Sequence, residues 1–264
     1  GKPCSTVQPS TFTFTSAVAA GGCRRQERSM SVWFWQEVQK MLWKGVGMTT
    51  AIILAAGKSE RMGANTDKAF LSLVDKPVVA WSLIASIDRI VLVVRKDQLV
   101  ASKAVVKMFG ISKLDKIIAG GQKRQESVAE AIKACDLDTR IVVIHDAARP
   151  MVTSDMVSEI VKAAKRAPAV TFGRPMTDTV KLCEKGQTVT KTVPRDKLWL
   201  VQTPQAFQIK ELRAAYRALG TKEVSDDCMA VELGGVPVKI VTCLKPNIKI
   251  TTPEDLHVVG KLLK

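Results

Sequence analysis

The sequence predicts an α/β fold: a mostly parallel sheet with helices on both faces and a protruding β-arm. Two observations predict the sheet and one predicts the arm. Short continuous apolar runs alternate with longer segments of helical spacing, which is the pattern of strands buried on both faces and joined by helical crossovers. Several of these runs end in glycine or in a cluster of polar residues. Between about residues 171 and 193 the pattern changes to two short alternating segments, "TDTVKLCE" and "QTVTKTV", joined at Lys185-Gly186, the signature of a hairpin.

Taken in order, "TAIILAA" (50–56) is the first strand, and "PVVAWSLIASI" (77–87) is a helix opened by Pro77. "IVLVVR" (90–95) is a second strand, followed by a helix over 97–108. "KIIAGG" (116–121) is a third strand, ending on a glycine pair before the helix "RQESVAEAIKAC" (124–135). "IVVIHDAARP" (141–150) is a strand running into a loop, and "SDMVSEIVKAAKRA" (154–167) is a helix with Ser154 as its N-cap. After the hairpin come strands at 199–207, 237–243 and 248–251, a helix at 208–219, and a last helix opened by Pro253 and Glu254. The whole is Rossmann-like. A two-stranded arm buries little by itself, so it is expected to rest on the same arm of a second subunit.

The chain has 264 residues, 40 Lys+Arg against 25 Asp+Glu, and a net charge of +15. Such a balance suits nucleic acid, anionic membrane or phosphorylated metabolites. Aromatics are 5% of the chain, and three of the five tryptophans precede residue 48, so the basic body lacks the stacking platforms of a single-strand binder. No apolar run is long enough to span a membrane. Six dispersed cysteines without a C-x-x-C pair, and only two histidines, argue for reduced thiols and against a zinc site. A cytoplasmic enzyme is expected.

Residues 1–47 differ from the rest, with nine Ser/Thr, six Lys/Arg and two acids. They read as a disordered extension outside the catalytic fold, which occupies residues 48–264. One origin is an upstream start ahead of Met48. The other is an organelle transit peptide, which would make the location plastid; "SMSVWFWQEVQKMLWKG" has helical spacing that suits a membrane surface.

"AAGKSERMG" (55–63) invites a phosphate-loop reading, but Ile52 stands where a Walker loop needs glycine, and Ser59 where the dinucleotide fingerprint needs its second. In an open parallel sheet, ligands bind beyond the carboxyl ends of the strands. Five such ends are polar: Gly57 to Lys68, Gly120 to Ser127, His145 to Arg149, Thr203 to Gln205, and Asn247 to Lys249. They gather Arg61, Lys68, Lys123, Arg124, Arg149 and Lys249 around Asp146. Any one of these charges alone reads as a solvated surface group. Repeated at five strand ends, they point to a triphosphate with Mg²⁺ at one carboxylate, Asp146. His145 is expected to be structural, since alternation turns it away from Asp146.

These segments resemble the 2-C-methyl-D-erythritol 4-phosphate cytidylyltransferase family over about residues 49–263. "AAGKSERMG" resembles its nucleotide loop, "GGQKRQESV" its base and ribose segment, "HDAARP" its acidic motif, "LWLVQTPQAF" its T-P-Q motif and "NIKITTPEDL" its closing lysine motif. Two departures stand out: Asp67-Lys68-Ala69 replaces Pro-Lys-Gln, and "VSDDCMAVE" (224–232) replaces a T-D-E-A run, keeping Asp226, whose plain reading is a helix N-cap.

The resemblance implies transfer of a cytidylyl group from CTP to an alcohol phosphate, with loss of pyrophosphate and with Mg²⁺ as cofactor. It implies catalytic roles for Arg61, Lys68, Arg195 and Lys249. Nucleotide contacts would come from Ala55, Ala56, Gly57, Gly120, Gly121, Ser127, Asp146 and Ala147. Substrate contacts would come from Asp146, Arg149, Thr179, Arg195, Thr203 and Lys249, with Thr179 and Arg195 reaching the site of the partner in a homodimer joined through the arm. A ribitol- or other polyol-phosphate cytidylyltransferase is the nearest alternative. A basic RNA-binding protein is a rival of another class. Residues 48–264 still carry 34 Lys+Arg against 23 Asp+Glu, but the cations gather at strand ends instead of along one face, which argues against nucleic acid as partner.

Overall fold

The first apolar run forms β1, Met48–Ala55, in a computed structural model that describes residues 47–57, 62, 67–83 and 88–264. The expectations for residues 1–46 and for Arg61 lie outside the described residues. Two short strands, β2 (Ser72–Leu73) and β3 (Lys76–Pro77), pair with each other, and α1 follows at Val78–Leu83. Next come β4 (Arg89–Val94), α2 (Leu99–Met108), β5 (Leu114–Ala119), α3 (Arg124–Ala134) and β6 (Thr139–Asp146). The chain continues with α4 (Ser154–Ala164), β7 (Ala169–Pro175), β8 (Val180–Cys183), β9 (Val189–Val193) and β10 (Trp199–Gln208). It ends with α5 (Ile209–Ala218), α6 (Asp227–Leu233), β11 (Val238–Thr242) and α7 (Pro253–Leu262).

Seven strands form one sheet in the order β11-β7-β10-β6-β1-β4-β5. β1 sits between β6 and β4, parallel to both, and alternation along it feeds two cores. Ala51, Ile53 and Ala55 face the layer of α1, α2 and α4. Ile52 faces the layer of α3, α5 and α6. With helices on both sides, the carboxyl ends of β1, β4, β5 and β6 form one edge open to a ligand.

The sheet is mostly parallel, as expected, with one antiparallel strand. β10 runs antiparallel to both β6 and β7. β7 leaves the sheet at Pro175, the chain makes the arm, and β10 returns beside β7, so the pair is a long hairpin with the arm inserted at its tip. Direction is invisible in an apolar run, because a strand buried on both faces has the same pattern either way. The ladder between β10 and β7 breaks between Gln202 and Gln205, where Pro204 has no N–H to give it.

The arm is correspondingly shorter than expected. Residues 171–175 belong to the main sheet, and only β8 and β9 form the separate two-stranded sheet. Its turn places Gly186 at φ 74°, in the left-handed region that glycine enters without a Cβ penalty.

Three local expectations are also corrected. Thr153, not Ser154, caps α4 and accepts from the Met156 N–H at 3.3 Å. Pro77 lies in β3, and α1 starts one residue later. Residues 248–251 form no strand. Instead Ile250 donates its N–H to the Ala148 carbonyl at 2.8 Å, and the segment lies across the end of β6.

Candidate active site

The open edge holds a cleft whose floor is the ends of β1 and β6. Leu54, Ala55, Ala56 and Gly57 line it from β1, and Asp146, Ala147 and Ala148 from β6. The Ala147 N–H donates to the Leu54 carbonyl at 2.9 Å and ties these two ends together. Small side chains at 55–57 leave the backbone itself at the cleft wall, where a nucleotide can approach peptide N–H groups.

One wall is the turn Lys68–Phe70, which presents Lys68. Asp67 caps this turn, accepting from the Ala69 N–H at 3.2 Å, and its second oxygen lies 3.5 Å from Arg95. Burial raises the Asp67 carboxyl above its ordinary range, partly offset by the Ala69 N–H and by Arg95. The unusual acid beside Lys68 therefore holds the loop.

The facing wall is the glycine loop entering α3, with Gly121, Gln122, Lys123, Arg124 and Ser127. The Glu126 carboxylate accepts from the N–H groups of Gln122 (2.8 Å) and Lys123 (3.2 Å). The Ser127 hydroxyl accepts from Gly121 N–H at 3.1 Å and donates to the Lys123 carbonyl at 3.2 Å. Behind this loop, a Cβ on Gly120 would lie 2.6 Å from Ser127 Oγ, 2.7 Å from Ala56 Cβ and 3.1 Å from Val93 Cγ1. Gly120→Ala is accordingly expected to destabilise the fold by about 1–3 kcal/mol, the usual cost of overpacking. A denaturant midpoint equal to that of the parent would show that the loop yields without cost.

Asp146 stands at the centre. Lys249 Nζ is 2.6 Å from its Oδ2, and Arg124 Nε is 3.6 Å from its Oδ1. Burial opposes its charge, but Arg124 and Lys249 outweigh burial and hold the carboxyl well below the usual range. Lys249 reaches it because the segment after β11 crosses the end of β6. Lys123 is paired with Glu223 on the outer rim.

Beneath Asp146 lies a buried layer. Thr203 Oγ1 accepts from the Asp146 N–H at 3.1 Å and meets His145 Nδ1 at 3.2 Å. His145 Nε2 meets the Arg149 carbonyl at 3.1 Å. Burial pushes the His145 imidazole down to about 4 against the pull of Asp146, so it is neutral at pH 7. The structural role expected for His145 is what its surroundings give it. Arg149 donates to the Asn247 carbonyl at 2.7 Å, and Asn247 Nδ2 donates to the Thr203 carbonyl at 2.8 Å. These bonds brace the crossing segment that carries Lys249.

Of the expected site residues, the cleft thus brings together Ala55, Ala56, Gly57, Lys68, Gly121, Ser127, Asp146, Ala147 and Lys249. Gly120, Thr203 and Arg149 lie behind it. Thr179 and Arg195 are exposed at the base of the arm, where Arg195 donates to the Thr177 carbonyl, and neither lines this chain's cleft.

Sequence reasoning missed the partners of Arg124. Its Nη2 donates to Asp227 Oδ2 at 2.7 Å, and the Tyr216 hydroxyl donates to Asp227 Oδ1 at 2.6 Å. Asp226 alone drew notice there, and it does cap α6, accepting from Met229 N–H at 2.9 Å. The signal for its neighbour was present: Asp227 follows a cap, so it starts the helix, and Tyr216 is the chain's single tyrosine.

The family model of 2-C-methyl-D-erythritol 4-phosphate cytidylyltransferase matches residues 49–264. The chain is 38% identical over 229 residues to the protein of that description from Alkaliphilus oremlandii, covering 84% of this chain and 97% of the relative. It is 41% identical over 222 residues to the one from Pelotomaculum thermopropionicum, covering 81% and 93%. Among solved structures it is similar to the 4-diphosphocytidyl-2C-methyl-D-erythritol synthase of Anaerococcus prevotii, with a TM-score of 0.70 and 30% identity over 82% of this chain and 98% of that one.

Proposed function

The chain belongs to the 2-C-methyl-D-erythritol 4-phosphate cytidylyltransferase family, and from that premise we propose how its residues divide the work. The reaction joins CTP and 2-C-methyl-D-erythritol 4-phosphate into 4-diphosphocytidyl-2-C-methyl-D-erythritol and releases pyrophosphate, a step in isoprenoid precursor synthesis. The single observation that carries the assignment of roles is an ionised Asp146 held between Lys249 and Arg124, across the cleft from Lys68.

The nucleophile is a phosphate monoester, already anionic at neutral pH, so no general base is required. The demand is for charge neutralisation and in-line positioning at the α-phosphate. Lys68 and Arg61 neutralise charge that grows on the leaving pyrophosphate. Backbone N–H groups of residues 55–57 and of the Gly120-Gly121 loop take the nucleotide, and Lys249 and Asp146 take the alcohol phosphate.

A magnesium ion fits this donor set. Among the described residues no three His, Cys, Asp or Glu gather as a metal site. Asp146 at the cleft floor would offer it a carboxylate oxygen, as expected where Mg²⁺ is held chiefly by substrate phosphates and water. When bound there, the ion neutralises triphosphate charge and orients the phosphates.

The working unit in this reading is a homodimer joined through the arm, with Thr179 and Arg195 serving the partner's cleft. Exposed Leu182 and Val189 on the arm, with Trp199 and Val201 on one face of the strand at its root, support it: on a monomer these apolar side chains bury nothing. In this reading the enzyme works in the cytoplasm, with neither nucleic acid nor membrane as partner. Among the described residues no helix is long and apolar enough to cross a membrane.

The test is pyrophosphate release by the purified chain with CTP and Mg²⁺. Turnover is expected with 2-C-methyl-D-erythritol 4-phosphate and not with ribitol 5-phosphate. The opposite preference would move the protein to the polyol-phosphate enzymes. Steeply salt-dependent RNA binding without turnover would remove it from catalysis.

A further inference from the structure

Asp227 is a carboxylate with 0% exposure that no step above uses. Both of its oxygens are engaged, Oδ1 by the Tyr216 hydroxyl at 2.6 Å and Oδ2 by Arg124 Nη2 at 2.7 Å. A buried charge is costly to retain for stability alone, since a well-packed apolar replacement does as well or better. What this one does is visible in the geometry of Arg124. The guanidinium spans two carboxylates. It makes a close hydrogen bond to Asp227, while its Nε stays 3.6 Å from Asp146 Oδ1, beyond hydrogen-bond reach. Asp146 Oδ2 is taken by Lys249 at 2.6 Å.

An arginine fork next to a lone carboxylate closes on it bidentately, because two parallel charge-assisted bonds are its strongest arrangement. Without Asp227, Arg124 would close on Asp146 in that way and cover Oδ1.

We propose that Asp227 is a positioning residue: it holds Arg124 back from Asp146, so that Asp146 Oδ1 stays open to accept a hydroxyl of the alcohol phosphate. Tyr216 fixes the orientation of the Asp227 carboxylate and takes no part in substrate binding. The electrostatic sense is simple. Arg124 still lends Asp146 its positive field at a distance, without occupying the lone pairs that the substrate needs.

This inference rests on the reaction proposed above, and the two fail separately. Absence of turnover in the parent protein would sink the reaction, whereas the inference is read from differences among active variants. Asp227→Asn is expected to raise KM for the alcohol phosphate about tenfold, the value of a hydrogen bond to a charged group, with kcat and the calorimetric Kd for CTP within about threefold. Tyr216→Phe leaves the Arg124–Asp227 pair in place, so it is expected to lower the melting temperature and leave that KM within about threefold. The decisive comparison is Arg124→Gln with and without Asp227→Asn. With the competing guanidinium gone, the second substitution should change KM by less than about threefold.

An unchanged KM in Asp227→Asn would overturn the proposal, as would the same rise in Tyr216→Phe. So would an Asp227→Asn effect that persists in full when Arg124 is already glutamine. Should Asp227→Asn alone fail to fold, a rise in KM of about tenfold on adding Asp227→Asn to Arg124→Gln would still overturn the proposal. The double variant removes both charges together and leaves no buried charge unmatched.

Discussion

Replacing Lys68 with alanine is expected to lower turnover about a hundredfold while CTP affinity changes only a few fold, because a preorganised charge aimed at a developing oxyanion stabilises the transition state by about 3 kcal/mol. The structure makes the preorganisation concrete. Lys68 opens a short turn whose N-cap is Asp67, and that cap is buried and anchored again near Arg95 at 3.5 Å. Lys68 is therefore carried on a held turn that lines the same cleft as the ends of β1 and β6. A cation in that position gains most when pyrophosphate charge grows, and less from the ground-state triphosphate. Single-turnover rates and calorimetric binding of CTP with Mg²⁺ separate the two contributions. If the alanine variant kept its kcat and lost only affinity, Lys68 would be a ground-state anchor, and Asp67 would then be read as trimming its charge.

The legible part of the molecule was the part governed by local chemistry. Apolar runs with helical segments between them placed β1, β4, β5 and β6 and the helices that cover them, because each such run must be buried on both faces. Short polar loops at the ends of those strands placed Ala55 to Gly57, Gly121, Ser127 and Asp146 in one cleft. What escaped was set by contacts distant in sequence. The direction of β10 follows from its return beside β7 after the arm. The tail at Asn247 to Ile250 looked like a strand because Ile248 and Ile250 alternate with polar residues, yet it is held by single bonds to Ala148, Arg149 and Thr203. Arg149 read as one more cation for phosphate, and in the structure it also donates to the Asn247 carbonyl of that tail. The pair of Arg124 and Asp227 is 103 residues apart, and no periodicity links them. Departures from the family pattern were more informative than they looked. Asp67 caps the turn that bears Lys68, and the acid next to Asp226 reaches the centre of the site through Arg124.

Arg195 is expected to behave unlike any residue of the cleft. Its side chain sits exposed at the base of the arm, hydrogen-bonded to the Thr177 carbonyl and outside this chain's own cleft. If it serves the partner's site, Arg195→Ala should raise KM for the alcohol phosphate and lower turnover about a hundredfold, because a nucleophile displaced by an ångström forfeits in-line attack. CTP binding should stay within a few fold. The shared site also predicts a result that a single chain cannot give. A mixed dimer of Arg195→Ala and Lys68→Ala subunits has one cleft with both alterations and one with neither. After random exchange of equal amounts, half the dimers are mixed and half of their clefts are intact, so activity should recover to about a quarter of the parent value. Mass spectrometry of the intact assembly, with one subunit isotopically labelled, verifies that exchange has occurred. Confirmed exchange without recovery would place Arg195 in the site of its own subunit. A monomer at assay concentration, active in full, would remove the arm from catalysis altogether and leave its apolar residues, Leu182 and Val189, without the partner that their exposure calls for.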